Sequence, residues 1–414
     1  MTPATEFTTL AGISRLPVQN LIPEHPYHFV PPRFSRFWTW LVSFRLPAML
    51  RNRFGVTEVE FLGLERLADS LAEGHGILVA PNHSHPADPF IAAGLGLRVG
   101  RPVHLMATRH IFEESALQRF LLTRVGNFSV SREGTDFRAI RCAENIIVEA
   151  RHPLVMFPEG IVTRSNDRLI PFQRGVSLIA RRAAARRARE GGRVVVHPMF
   201  IRYTHQGNVE AAVEPVLADL GKRIGRPIEN ALPLRERILN LGEALLADKE
   251  REYCGEPGTG PLIPRIERLI EVVLAQVEPR WVRHMRARDA MARVRIIRSA
   301  IVGHLYRTAP GSPERQAMWR DIEHLYLVQL LYCYPPGYLE ESCVTNDRLL
   351  EIVEHFEEDL TDVSRPHPPM RAVGWVGEAL PVEPFPRRPP RPDPWTSELK
   401  TRMESLRVAS LKNP

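Results

Sequence analysis

The chain has 414 residues, 44% of them hydrophobic and 25% charged, the composition of a folded protein with ample material for a core; a collagenous or wholly disordered chain is excluded. The length predicts two domains or one large domain with appendages. Lys+Arg number 55 against 48 Asp+Glu, and only four of the basic residues are lysines (Lys222, Lys249, Lys400, Lys412), so the net +7 is guanidinium charge suited to phospholipid, a phosphorylated substrate or nucleic acid.

From Met1 to Asn20 no basic start precedes an apolar run, so no secretory signal is expected. The stretch Phe34 to Leu50, FSRFWTWLVSFRLPAML, is interrupted by Arg36 and Arg45 and broken by Pro47. It is too short and too charged to span a bilayer, and it reads either as an interfacial segment with snorkelling arginines or as an amphipathic helix on the protein's own core. From Val56 to Tyr203 strand-like and helix-like runs alternate. The expected strands are VTEVEFLGL, GILVAPN, PVHLMAT, GNFSV, PLVMFP and VVVHPMFIRY, with helices following Asp88, Thr108, Thr135 and Phe172. Asp88 and Thr135 are the expected N-caps. This predicts an α/β fold: a central, mostly parallel sheet flanked by helices, with a helical C-terminal extension.

Beyond Gly207, NVEAAVEPVL is a further strand candidate, after which helical periodicity dominates through LRERILNLGEALLADKE, the long run starting at Pro264, and ERQAMWRDIEHLYLVQLLYCY. Ten prolines between Pro366 and Pro394 predict an extended or disordered tail, followed by a terminal helix from Trp395 to Leu411. The expected organisation is an N-terminal arm (1–55), an α/β domain (56–250), a helical region (251–364) and a proline-rich tail with its helix (365–414). Cys142, Cys254, Cys333 and Cys343 are far apart and form no CxxC pair, which argues against a disulfide framework or a cysteine zinc site and fits a reducing compartment.

Chemistry concentrates in three stretches. PNHSHPADPF (Pro81 to Phe90) follows a buried-looking strand, where α/β enzymes place reactive groups. There His83 can act as a general base oriented by Asp88. Equally, Asp88 ahead of Pro89 is a plausible helix start, and His83, His85 and Asp88 resemble part of a zinc or binuclear ligand set. GNFSVSREGTD carries Arg132 toward a helix start, a place where guanidinium and backbone amides can hold a phosphate. VMFPEGIVTRSNDR brings Glu159, Gly160, Arg164 and Arg168 to a strand end, either to position a substrate or to form a solvated turn. The arginine-rich run Phe172 to Arg193 lacks aromatic interleaving and any reader motif, so nucleic acid is not expected as a partner. No GxSxG, P-loop or GxGxxG is present.

The order of these blocks resembles the glycerolipid (lysophospholipid) acyltransferase superfamily, in particular its 1-acylglycerol-3-phosphate acyltransferase type. Asn82-His83 with Asp88 is similar to the NHxxxxD block, Gly126 to Arg132 to the second block, Phe157-Pro158-Glu159-Gly160 to FPEG, and His197-Pro198 to the proline of the fourth. Two departures stand out: Phe128 lies one place early, with Ser129 in the usual aromatic position, and Ile161-Val162 intervene before Thr163-Arg164-Ser165. The resemblance covers about Val56 to Pro215. It implies transfer of a fatty acyl group from a coenzyme A or acyl carrier protein thioester to a hydroxyl of a glycerol phosphate or lysophospholipid. His83 would be the base and Asp88 its orienter; Arg132, Glu159 and Gly160, with Arg164, would bind the acceptor. No metal or prosthetic group is implied. An anionic membrane surface is the implied partner, with the protein peripheral on the cytoplasmic, inner face. Two other readings stay open: a metal-dependent hydrolase built on His83, His85 and Asp88, and a catalytically silent lipid-binding scaffold.

Overall fold

The computed structural model describes residues 25–228, 231–384 and 393–412. These divide into two compact units. A sheet unit comprises His28–Ser131, Asp136–Gly207 and the described part of Pro366–Pro414; a helical unit comprises Arg132–Thr135 and Asn208–Arg365, with residues 25–27.

The sheet unit contains β1 (Val56–Leu62), β2 (Gly76–Pro81), β3 (His104–Thr108), β4 (Phe128–Val130), β5 (Leu154–Val155), β6 (Val194–His205), β7 (Met370–Val376) and β8 (Leu380–Pro381). Its spatial order is β1-β7-β6-β2-β5-β3-β4, with β8 paired to β6. Strands β2 to β6 are mutually parallel, whereas β7 and β8 run antiparallel to β6. The sheet is therefore mixed and mostly parallel, as expected. Strand β2 is buried along its whole length because neighbours cover both edges and helices cover its faces. From β2 the chain moves outward to β3, and from β5, its neighbour, it crosses back past β2 to β6. The carboxyl ends of β2 and β5 thus flank a point where the winding direction reverses, the usual place for a crevice in such sheets.

Helices α1 (Arg36–Ser43), α2 (Leu46–Phe54), α3 (Leu64–Ala72), α4 (Asp88–Arg98), α5 (Ala116–Arg124), α6 (Phe137–Glu149) and α7 (Arg174–Arg187) belong to this unit. The segment Phe34 to Leu50 is not one broken helix: Pro47 occupies the first turn of α2, where its missing N–H costs nothing. Helix α5 starts later than expected, after a 3₁₀ turn at Arg109–Phe112. The caps also differ. Asp136, not Thr135, caps α6 by accepting from the Ala139 N–H, and Asp88 sits inside the first turn of α4 with its carboxylate turned elsewhere.

The helical unit holds α8 (Val209–Arg223), α9 (Leu234–Cys254), α10 (Leu262–Trp281), α11 (Ala290–Leu305), α12 (Pro313–Cys333) and α13 (Asn346–Thr361). The strand expected at NVEAAVEPVL is the start of α8. Val209, Val213, Val216, Leu217 and Leu220 are buried at helical spacing, and Asn208 caps the first turn through Ala211 N–H. Helix α13 was not among the expected runs. Val273, Leu274, Val277, Val294, Ile297, Ile301 and Val328 form this unit's own core.

The proline-rich segment is corrected most. Met370–Val376 forms β7, inserted between β1 and β6, and a last helix α14 (Pro394–Ser410) packs Trp395, Leu399 and Met403 into the sheet unit's core beside Phe200 and Trp375. The run MRAVGWV is rich in β-branched and aromatic residues and contains no proline, so it can supply the ladder that its flanks cannot. Residues 385–392, which hold four of the ten prolines, lie outside the described residues.

Candidate active site

The site grows from the carboxyl end of β2. Asn82 extends the ladder by side chain: its Nδ2 donates to Ile201 O (3.0 Å) and its Oδ1 accepts from Ile201 N–H (2.6 Å). Asn166 does the same two residues further on, donating to Tyr203 O (2.8 Å) and accepting from Tyr203 N–H (3.0 Å). Two asparagines thereby replace the missing strand partner at the end of β6, pairing the N–H and C=O of both Ile201 and Tyr203.

His83 and Asp88 come together as expected, with His83 Nδ1 3.0 Å from Asp88 Oδ2. Asp88 is fully buried and also accepts from His85 N–H (2.9 Å, Oδ2) and from the Tyr203 hydroxyl (2.7 Å, Oδ1). With Nδ1 donating to the carboxylate, His83 keeps Nε2 free to take a proton, the arrangement a general base requires. The ring of Phe157 stacks on the imidazole at 4.1 Å.

Glu159 is buried beneath this turn. Its Oε1 accepts from His83 N–H (2.9 Å) and its Oε2 from Ile170 N–H (3.0 Å), so one carboxyl holds both the β2 turn and the loop after β5. Burial pushes its pKa up to about 7, against the opposing pull of those two amides. Thr163 N–H closes the same junction by donating to His83 O (2.8 Å). Gly160 has φ +75, and a side chain there would be strained and would displace the Gln173 amide, which donates to Glu159 O (3.1 Å).

Arg164 is buried and, unusually for a residue with a side chain, has φ +53. Its charge, after burial itself, helps hold the His85 imidazole pKa well below its ordinary value. His85 Nδ1 accepts from Ala87 N–H (3.1 Å), and its ring lies against Tyr203 (4.4 Å) and Phe54. The Nδ1 atoms of His83 and His85 are both engaged, the first with Asp88 Oδ2 and the second with Ala87 N–H. Among the described residues no group of three or more His, Cys, Asp or Glu is arranged to hold a metal ion.

Arg132 is exposed and belongs to the helical unit, where its neighbour Glu133 pairs with Arg298 (3.1 Å) and Gly134 N–H donates to Ser299 Oγ (3.1 Å). His197 of the fourth block is structural: its ring nitrogens meet Gly377 O (2.9 Å) and Ser70 Oγ (3.0 Å). Sequence reasoning did not single out Tyr203 or Asn166. The only local hint of Tyr203 is its place at the end of the buried strand VVVHPMFIRY, on the carboxyl edge that also carries His83.

No curated protein matches the chain. A family model described as Acyltransferase matches residues 58–202, which contain His83, Asp88, Glu159, Gly160 and Arg164 on the parallel part of the sheet. Residues 58–202 are thus an acyltransferase domain of the glycerolipid acyltransferase superfamily.

Proposed function

We propose that this domain moves a fatty acyl group from a coenzyme A or acyl carrier protein thioester to a hydroxyl of a lysophospholipid or glycerol phosphate, with 1-acylglycerol-3-phosphate as the foremost acceptor. The observation that carries this reading is the 3.0 Å contact between His83 Nδ1 and Asp88 Oδ2 at the winding reversal of the sheet. His83 Nε2 takes the proton of the acceptor hydroxyl as its oxygen attacks the thioester carbonyl carbon. The tetrahedral adduct collapses, the C–S bond breaks, and the thiolate leaves with the proton that His83 returns. Asp88 balances the imidazolium formed in between; such base catalysis contributes on the order of 10²- to 10⁴-fold. The scheme consumes only the two substrates and needs no metal or prosthetic group.

Arg164, a buried cation beside His85, is assigned to the acceptor's phosphate. Glu159 and Gly160 serve by shaping the turn that presents His83. Arg132, described with the helical unit, takes no step in this scheme.

A lipid acceptor calls for a lipid surface, and α1 with its C-cap residue Phe44 supports one. Phe37, Trp40 and Phe44 are 59%, 56% and 64% exposed, and Arg36 and Arg45 lie beside them. Aromatic and aliphatic groups rimmed by guanidinium suit the headgroup layer of an anionic bilayer, which on this reading is the inner face of a cytoplasmic membrane. Among the described residues no helix is long and apolar enough to cross a membrane.

The test is thiol release from a long-chain acyl-coenzyme A in the presence of glycerol 3-phosphate, lysophosphatidate, other lysolipids or water alone. Release that depends on one acceptor and vanishes in His83→Ala supports the reading. Release into water alone, or activity that survives His83→Ala, overturns it.

A further inference from the structure

The Asp88 carboxylate has a third partner that no sequence block contains. Tyr203 lies one residue past the end of the matched segment, 115 positions from Asp88, and its hydroxyl donates to Asp88 Oδ1 at 2.7 Å. Nothing about this contact is loose. The Tyr203 backbone is held on both its N–H and its C=O by Asn166, and its phenol is buried with the His85 ring laid against it at 4.4 Å. Burial and the neighbouring carboxylate keep the phenol far more weakly acidic than usual, so it remains a donor throughout the working pH range.

Donors therefore reach Asp88 from three directions: Tyr203 O–H on Oδ1, and His83 Nδ1 and His85 N–H on Oδ2. A carboxylate gripped on one oxygen only can rotate and carry the imidazole with it. Gripped on both, it holds the His83 ring in one plane with Nε2 outward. The phenol also draws part of the carboxylate's charge toward itself, which limits how strongly Asp88 stabilises imidazolium.

We propose, building on the acyl-transfer reading, that Tyr203 is a positioning residue of the general base: through its hydroxyl it fixes the Asp88 carboxylate and so sets both the aim and the basicity of His83. It does not touch substrate in this assignment. The charged or titratable groups around the cluster are His83 and His85 from the β2 turn, Asp88 at the start of α4, Glu159 and Arg164 from the loop after β5, Tyr203 from β6 and, acting on Glu159, Lys400 from α14. Of these only Asp88 meets the phenol hydroxyl in a hydrogen bond.

Tyr203→Phe tests the assignment because it keeps the ring that packs on His85 and removes only the O–H. In the full-length protein kcat should fall about 10- to 100-fold, the scale of one hydrogen bond to a charged group, with KM for the acceptor little changed. The acidic limb of the kcat/KM profile should move to higher pH, by about half a unit or more, because the whole carboxylate charge then falls on His83. In an Asp88→Asn background the same change should cost nothing further, since Tyr203 acts only through that carboxylate. An unmoved acidic limb, losses that simply add, or a fall in thermal stability without the kinetic changes would overturn the proposal. An NMR titration of the His83 imidazole in wild type and Tyr203→Phe reads the same displacement without any substrate. A displaced titration with no acyl transfer to any acceptor would sink the proposed reaction and leave the Tyr203 assignment standing; an undisplaced one would sink the assignment alone.

Discussion

The ring of Phe157 lies nearly flat on the imidazole of His83, centroids 4.1 Å apart and planes 20° from parallel. Phe157 opens the FPEG block, so one block supplies both a surface for the base and, through Glu159 Oε1, a hydrogen bond to its backbone (2.9 Å). Stacked rings contribute roughly 0.5–1.5 kcal/mol beyond burial, and here the contact selects one His83 rotamer. Phe157→Ala should lower kcat about two- to tenfold with little change in the midpoint of thermal unfolding. Initial rates and a melting curve check both; unchanged rates would show that Asp88 alone holds the ring.

Glu159 makes a pH-dependent contribution to stability whose sign follows from linkage. Its folded-state pKa is raised from 4.5 to about 7, so the folded protein binds this proton more tightly than the unfolded chain does. Its contribution is fully present below 4.5 and is lost as pH rises toward 7. The destabilisation caused by Glu159→Gln should therefore be larger at pH 5 than at pH 8, as read from urea unfolding of both proteins at each pH. An equal difference at the two values would contradict the assignment.

The exposed aromatics of α1 predict lipid binding that a single charge should spoil. Trp40→Glu or Phe44→Glu, each at a site more than half exposed, should leave folding intact and weaken binding to vesicles containing anionic lipid by about tenfold or more. Vesicle flotation at low and high salt measures this, and wild-type binding should fall as salt rises. Full binding by both variants would remove α1 from the membrane reading.

Helix α14 predicts a structural role for the C-terminal segment. Trp395 is buried in the sheet unit's core and its indole N–H donates to Pro381 O at 3.1 Å. Trp395→Ala should cost about 3–5 kcal/mol, the usual range for truncating a buried aromatic residue. Chemical denaturation measures it; a loss below about 1 kcal/mol would mean the helix packs only loosely on the sheet.

Much of the fold and part of the candidate site were legible in the residues themselves, because the signals are local. The strands β1 to β6 stand out as largely apolar runs between helical stretches, and the first three acyltransferase blocks end just past the carboxyl ends of β2, β4 and β5. The spacing of His83 and Asp88 is likewise a local matter, since a short turn into a helix brings a residue and its fifth neighbour together.

What depends on distant pairing was decided only by the tertiary structure. Ten prolines concealed β7, whose place between β1 and β6 rests on hydrogen bonds to partners more than 160 positions away in sequence. The alternation of NVEAAVEPVL is compatible with a strand, and burial of one helical stripe chose the helix instead. Tyr203 meets Asp88 because β6 runs parallel beside β2 and two asparagine side chains carry the ladder past the end of β2. A contact across 115 residues has no period and no local motif, so the linear sequence contains both groups without revealing that they touch.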